Sequence, residues 1–327
     1  MWRQVLRDFY LPVSAKALRA CQTLNKRIDM RIHIAKFAIA AAVLAASAQA
    51  AIDEKMRASI DQLTGTKGTY TAEEDVHRVS FPRSDLRVTI ENRPAHPFMG
   101  FGSWAAFTPG HGGVMVMGDI VLLEDEVSPA MSAALDNGLE VTALHNHFFY
   151  ESPRVMYMHI GGSGDVPKLA SAVKKVIDAQ RAVRTASAEP ARSFPGAAVP
   201  AENKITAGPI DEILGAKGEM NNGMYKATIG RAGTHHGAKI GKQMGLNTWA
   251  AFAGTDQMAS VDGDFAMTEG ELQGVLKALR KAGIHVVAIH NHMTHEEPQY
   301  VFLHYWGKGP AAELARGLRS ALDTQKR

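Results

Sequence analysis

Two stretches of the chain carry the same polar side chains, and the second stretch begins 145 positions after the first. Each has a His-Asn-His motif, a glutamate four residues after it and a third histidine eight residues after the glutamate. Imidazole and carboxylate groups bind zinc, manganese, iron and copper, and a catalytic metal needs an open position beside its protein ligands. The pattern therefore indicates one divalent metal site in each stretch. The expected ligands are His145, His147, Glu151 and His159 in the first stretch, and His290, His292, Glu296 and His304 in the second.

Strand geometry decides whether the three histidines of a stretch can meet. Residues two apart point to the same face of a strand, so His145 and His147 share one face. If the returning strand places Tyr157 opposite His145, His159 lies diagonally across from His145 and can reach the same ion. A slip of one residue would send His159 to the far face.

A hydrogen-bonded polar network that fixes a loop, or binds an anion, explains the same histidines about as well. If only one copy is active, the second is favoured, because it has the additional polar residues His295 and Glu297. Asp119, Asp264 and His295 could hydrogen-bond to the metal ligands and orient them. For the two aspartates a turn position is the preferred interpretation, and Glu126 and Glu271 are interpreted as acids in the first turn of a helix.

Glycine-rich segments follow each third histidine and precede a predicted helix. Their backbone amides could bind an anion, with help from Lys308. A simple turn into the helix is the favoured interpretation, since such loops are common. The residues concerned are Gly162, Ser163 and Gly164 in the first copy, and Gly307, Lys308 and Gly309 in the second.

The repeat extends well beyond the histidines. The Trp-Ala-Ala-Phe sequence at Trp104 recurs at Trp249, and the Gly-Asp pair that ends at Asp119 recurs at Asp264. A register this long indicates one module present twice. The predicted boundaries are 51–180 for the first module, 181–204 for an Ala/Pro-rich linker and 205–327 for the second module.

Each module has the same predicted order of a short helix, strands, an amphipathic helix, a β-rich pair and a closing helix. The predicted fold class is α+β: two homologous α/β-sandwich modules, each a mostly antiparallel sheet with helices on one face, arranged as a pseudo-dimer. Among the predicted elements are strands over 86–90, 113–123 and 224–229, and helices over 166–180 and 311–322.

Residues 1–50 have the composition of an upstream extension followed by a signal peptide. The signal begins at Met30, has a short apolar core and ends in a small-x-small cleavage site at Ala50. This predicts a soluble protein exported to the periplasm or outside the cell, with no membrane span in the mature chain. The single cysteine, Cys21, lies in this leader, so cysteine ligands and disulfides are not expected beyond it.

The leader also accounts for the positive net charge of +3. It holds eight of the 36 Lys and Arg residues and two of the 33 Asp and Glu residues. The remainder is slightly acidic, so a nucleic-acid partner is not expected.

The two histidine stretches, with the Gly-Asp and Trp-Ala-Ala-Phe sequences before them, resemble the LppY/LpqO-type family of bacterial exported proteins and lipoproteins. That resemblance covers nearly all of both modules and implies an exported protein built from a twice-occurring domain of unknown function. It implies no reaction or substrate. The lipobox cysteine of the lipoprotein members is absent here, which favours soluble export.

Three functions remain open from the sequence. The leading hypothesis is a protein that binds a divalent metal or a small polar ligand at one or both histidine clusters. The first alternative is a metal-dependent hydrolase or oxidase. The second is a non-catalytic cell-envelope interaction module whose histidines only stabilise loops. The oligomeric state stays open.

Overall fold

The computed structural model describes residues 51–110 and 112–325. The expected upstream extension and signal peptide lie outside these described residues. Both predicted modules lie within them, and together they form one compact unit. Within the described ranges, no helix is both long enough and apolar enough to cross a bilayer.

The first module contains three α-helices and nine strands within the part of the chain that is described. The helices are α1 (Glu54–Thr64), α2 (Glu124–Asp136) and α3 (Val166–Ala186). The strands are β1 (Thr69–Thr71), β2 (Val76–Pro82), β3 (Thr89–Ile90), β4 (Arg93–Pro94), β5 (Gly102–Gly110), β6 (Gly113–Leu123), β7 (Glu140–His145), β8 (Glu151–Ser152) and β9 (Val155–Gly164).

The second module repeats this order. Its helices are α4 (Ala207–Leu214), α5 (Glu269–Lys281) and α6 (Ala311–Leu322). Its strands are β10 (Glu219–Asn221), β11 (Met224–Gly230), β12 (Gly233–His235), β13 (Ala238–Ile240), β14 (Asn247–Gly254), β15 (Ala259–Thr268), β16 (His285–His290), β17 (Glu296–Glu297) and β18 (Tyr300–Gly309).

Six strands from each module join into one antiparallel sheet of 12 strands. The strand order is β1-β2-β5-β6-β9-β7-β16-β18-β15-β14-β11-β10, so the modules meet where β7 pairs with β16. Leu144 pairs with Ile289 at that junction. These two residues are equivalent under the 145-residue repeat, so a pseudo-two-fold axis passes between them. The predicted pair of mostly antiparallel α+β modules is confirmed.

The helices cover one face of the large sheet, which we call the helical face. Its core combines helix residues such as Leu135, Val173 and Leu279 with strand residues such as Leu144 and Leu303, all at most 3% exposed. The opposite face, here called the open face, carries two smaller three-stranded sheets, β4-β3-β8 and β13-β12-β17. Each small sheet lies beside its own apolar cluster, which includes Tyr157 in the first module and Phe302 in the second.

The acids at the start of α2 and α5 are structural, as the sequence interpretation preferred. Glu126 and Glu271 are the third residues of these helices, and each accepts a hydrogen bond from the backbone at the start of its helix. Glu126 is fully buried against the Arg83 guanidinium, with 2.8 Å between Arg83 Nη1 and Glu126 Oε2. Arg231 contacts Glu271 in the same way at 3.0 Å.

Several predicted boundaries were wrong. The strand predicted over 86–90 is only the two-residue β3, whereas β2, at Val76–Pro82, was missed. Helix α3 continues to Ala186, so the irregular connection is shorter than predicted. The glycine-rich segments are not loops, because Gly162 and Gly307 lie inside β9 and β18.

A glycine at these two strand positions lets the closing helix pack closely on the sheet. A Cβ atom on Gly162 would lie 3.3 Å from Leu169 of α3, and one on Gly307 would lie 3.0 Å from Leu314 of α6. The glycines therefore reflect helix packing, which explains why they occur in both copies.

Hydrogen bonds across the junction add to the strand pairing. The Gln273 side chain accepts from the Val141 amide at 3.0 Å and donates to the Val141 carbonyl at 2.9 Å. The Ser128 hydroxyl lies 2.7 Å from His285 Nδ1, and the His285 ring stacks on Phe194. A histidine thus forms part of the contact between the modules.

We predict that His285 makes this protein less stable as the pH falls. Burial, and to a lesser extent Arg280, lowers the pKa of His285 to about 4, below its ordinary value of 6.5. Between these values the unfolded chain binds more protons than the folded chain, so acid favours unfolding. Stability from this group is therefore complete above about pH 6.5 and falls as the pH drops toward 4. His285→Gln should flatten the pH dependence of the free energy of unfolding in this window, measured by urea unfolding. A parallel profile for the variant and the parent would contradict this role.

Candidate metal centre

A β-bulge places the histidines on the open face. In β7, Val141 pairs with Ile160 and Ala143 pairs with His159, so Thr142 is an extra residue. The second module has the same bulge at Val287, between Val286 and Ala288. The bulge reverses the alternation, so that Val141 and Leu144 both face the helices while His145 faces the other way.

The strand register beyond the bulge is the one that allows the histidines to meet. His145 pairs with Tyr157, and in the second module His290 pairs with Phe302. The ring centroids of His145 and His159 are 5.2 Å apart, and those of His290 and His304 are 4.6 Å apart. The third histidine therefore lies diagonally across from the first in both copies, the arrangement that the sequence makes conditional on this register.

In the second module, a carboxylate joins two of these histidines. Asp264 on β15, with His290 and His292, places one ligand atom from each residue within 4.8 Å of the others, the geometry of a site that could hold a metal ion. We call this set the inner triad. Asp264 is buried and 3% exposed, and its Oδ2 atom lies 2.8 Å from His292 Nε2 and 3.9 Å from His290 Nε2.

His292 lies between two hydrogen-bond acceptors. Its Nδ1 lies 3.3 Å from the Gly245 carbonyl oxygen, and its Nε2 lies 2.8 Å from the Asp264 carboxylate. A neutral imidazole has a single N–H and can donate to only one of these two groups. A second ring proton, or a metal ion held between Nε2 and Asp264, satisfies both contacts.

The other groups around the triad are also suited to a cation. Burial lowers the pKa of His290, although the Asp264 carboxylate opposes this shift, and a neutral imidazole is the form that binds metal. Asp264 Oδ1 and His290 Nδ1 are both buried without a hydrogen-bond partner. His304 lies beside the triad, and its Nδ1 donates to the Gly263 carbonyl at 3.2 Å, which leaves Nε2 free.

Among the described residues, the group whose ligand atoms lie within 4.8 Å of one another includes neither glutamate of the repeat. Glu296 accepts a hydrogen bond from the Tyr300 amide at 2.9 Å, and it lies in the small sheet strand β17. Glu151 lies in the equivalent strand β8, with Arg154 Nε 3.7 Å from its Oε1. Both glutamates are buried, so they shape the connection between the histidine strands.

The cluster of the first module is more open. Its Asp119 is equivalent to Asp264, but in the described residues it forms no ion pair with a histidine, and its Oδ1 is buried without a partner. Burial raises the pKa of Asp119, and it lowers the pKa values of His145 and His147. The same residue types are present, without the close contact of the inner triad.

The position of the two aspartates corrects the sequence interpretation. Asp119 and Asp264 are not turn residues, because they lie in the middle of β6 and β15. Each pairs directly with the third histidine of its module, His159 or His304. The signal that could have found them is the Gly-Asp pair retained in both copies within a strand that faces the histidines.

Two other residues singled out in the sequence, His295 and Lys308, have neighbours other than those considered for them. His295 does not lie behind the inner triad; it neighbours His236, with 5.8 Å between ring centroids. Lys308 donates its ammonium hydrogens to the carbonyls of Phe194, Gly196 and Ala197 in the linker, so it is not directed at an anion. With Gly162, Ser163, Gly164 and Gly309 in strand ladders, the anion site stays a prediction without a gathered set of donors.

The sequence of this chain matches one family twice. The family is described as Domain of Unknown Function (DUF1259), and it matches residues 58–179 and again residues 208–324. The chain belongs to this family. Each of the two matched ranges contains one of the histidine clusters, so the domain is present twice in this chain.

Comparisons with curated proteins and solved structures add little. No curated protein matches the chain. Among solved structures, it is similar to a trimeric bacterial microcompartment shell protein, PduB, with 11% identity, and to EtuB from Clostridium kluyveri, with 10% identity. Both alignments cover 79% of this chain and 89% of the other, with a TM-score of 0.21. That score is too low to indicate a shared fold.

A single aromatic residue distinguishes the two DUF1259 clusters and gives a stability prediction. Tyr157 stacks on His147, as Phe302 stacks on His292, but its buried hydroxyl has no hydrogen-bond partner. Burial raises the pKa of Tyr157 to about 12, so the hydroxyl stays protonated.

An unpaired buried hydroxyl costs about 1–3 kcal/mol. Tyr157→Phe should therefore be neutral or raise the free energy of unfolding, whereas the matched Phe302→Tyr should lower it by roughly that amount. A loss of more than about 1 kcal/mol in Tyr157→Phe, by urea unfolding, would show that the hydroxyl has a partner.

Proposed function

We propose that this protein binds a divalent transition metal at the inner triad of its second module, through Asp264, His290 and His292. The observation that carries the proposal is the position of the His292 ring, whose Nδ1 faces the Gly245 carbonyl and whose Nε2 lies 2.8 Å from Asp264. A backbone carbonyl that orients a histidine in this way is the usual support of a metal ligand. The buried Asp264 carboxylate supplies the negative charge that a cation requires.

The ligand set restricts the kind of metal. Two imidazoles and one carboxylate suit zinc, iron, manganese or copper, and they offer no thiolate for a softer ion. His304 Nε2 is a third nitrogen, and a fourth ligand, within reach after a small side-chain movement, since its ring stacks on His290 at 4.6 Å. Zinc is a suitable first probe, because it has no redox chemistry and accepts both nitrogen and oxygen ligands.

The first module is proposed to bind the same kind of ion more weakly. Asp119, His145, His147 and His159 occupy the equivalent positions, but Asp119 does not contact the imidazoles. Closing that set around an ion requires side chains to move, and the movement reduces the affinity. Glu151 and Glu296 are proposed to support the histidine connections rather than to bind the ion.

The wider assignment follows the sequence. Residues 1–50 support export of the chain as a soluble LppY/LpqO-type protein, and the ligand chemistry without cysteine fits an oxidising compartment. A second candidate function is metal-dependent hydrolysis or oxidation. It is favoured by one observation: the inner triad supplies only three ligands, which leaves positions open for water or a substrate.

Loss of triad ligands should remove the metal. We expect Asp264→Asn/His292→Ala to weaken zinc binding by more than roughly 100-fold, because changes even to groups that only orient a ligand cost 10–100-fold. The matched control is Asp119→Asn/His147→Ala, which makes the same changes in the first module and should leave the tight site intact. Titration of tag-free protein with zinc against a chelating dye measures both.

Two results of this titration would contradict the proposal. If the second-module variant keeps wild-type zinc affinity while the first-module control loses it, the tight site lies in the first module. If neither changes, the His292–Asp264 contact is an ordinary ion pair and the inner triad is structural.

A further inference from the structure

The second module carries three more histidines on its small open-face sheet, away from the inner triad. His235 ends strand β12, His236 begins the turn that follows it, and His295 lies in the connection before β17. The ring centroids of His235 and His236 are 4.3 Å apart, and those of His236 and His295 are 5.8 Å apart. We call these residues the outer trio.

The strand register brings the outer trio together. Thr234 pairs with Glu297, and His235 pairs with Glu296 as the last pair of this ladder. His236 and His295 lie just beyond that pair, with 5.8 Å between their ring centroids. The nitrogen atoms of the three rings are not all within 4.8 Å of one another, so the exposed rings of His236 and His295 have to rotate to bind one ion with His235.

A hydrogen bond prepares His235 to act as a ligand. Its Nε2 lies 2.8 Å from the Thr294 carbonyl oxygen, which can only accept, so Nε2 carries the hydrogen. The lone pair of the neutral ring is therefore on Nδ1. This is the same support by a carbonyl that His292 has in the inner triad.

The first module has the same backbone without the histidines. Its turn residues Glu91 and Asn92 have positive φ angles of 48° and 64°, close to the 49° and 78° of His236 and Gly237. Tyr150 has a φ of 60°, against 67° for His295. The fold accounts for these backbone conformations in both copies, and it does not require histidine at any of the three positions.

We propose that His235, His236 and His295 form a second metal site, on the surface of the second module and distinct from the inner triad. Three imidazoles without a carboxylate or thiolate suit a borderline divalent ion such as zinc, copper or nickel. His236 and His295 are exposed, so the ion can exchange with solvent. The proposal does not depend on the inner triad binding metal.

Counting bound zinc tests the outer trio. Tag-free full-length protein is dialysed against buffered zinc, and its metal content is measured by elemental analysis. We expect His236→Ala/His295→Ala to bind one equivalent less than the parent. The same pair of changes should also remove one equivalent in the Asp264→Asn/His292→Ala background, which separates the two sites. Unchanged zinc content in both backgrounds, with an unchanged thermal melt, would overturn the proposal.

The first module provides a matched gain-of-function variant. Ile90→His/Glu91→His/Tyr150→His transfers the outer trio onto the equivalent backbone and should add one equivalent of zinc. A folded triple variant that binds no additional zinc would contradict the claim that this backbone brings three imidazoles within reach of one ion. Failure of the inner triad would leave this result unaffected.

Discussion

One extra residue in a strand determines where the chemistry of this protein lies. Without the bulge at Thr142, and its counterpart at Val287, the regular alternation from Val141 would turn His145 toward the helices. The bulge keeps Val141 and Leu144 in the helical core and directs the imidazoles to the open face. The strands that contain the bulges, β7 and β16, also pair with each other to join the modules. One local irregularity therefore affects both the module junction and the histidine clusters.

The helical face and the open face of the large sheet differ in what they bury. The helical face supplies the continuous apolar core, and the caps at Glu126 and Glu271 fix α2 and α5 over the sheet. The open face holds buried carboxylates that few protein groups neutralise. Placing Asp264 at 3% exposure, with one oxygen lacking a partner, is costly unless a cation is held there. Asp119 in the first module is half-buried, and its Oδ1 atom also lacks a partner.

The sequence was informative where periodicity and repetition were strong. The predicted strand over 113–123 and the predicted helix over 311–322 match β6 and α6, because long apolar alternation and helical spacing leave little ambiguity. The register of His145 with Tyr157 is one of two that the sequence leaves open, and the structure has the one that brings the histidines together. The bulge could not be predicted, since nothing in Glu140–His145 marks one residue as unpaired. A turn is the preferred sequence interpretation of Asp264, whereas the residue lies within β15 and the glycine before it lies close to the Trp249 carbonyl.

Long-range contacts account for the other errors. An anion contact for Lys308 is the less favoured interpretation of the sequence, and its ammonium group donates to linker carbonyls more than 100 residues away. His235 and His236 were missed because only the pairing of β12 with β17 brings them to His295. Glu151 and Glu296 have the right chemistry for ligands, and they lie in the small sheets. Side-chain type and spacing thus indicated which histidines could meet, while the residues brought together depended on the strand pairing.

The most direct measurement is a crystal structure of the zinc-loaded protein with anomalous data collected at the zinc edge. The account predicts an anomalous peak about 2.0–2.2 Å from Asp264, His290 and His292. A map with no peak between these three side chains, and with His292 Nε2 hydrogen-bonded directly to Asp264, would contradict it.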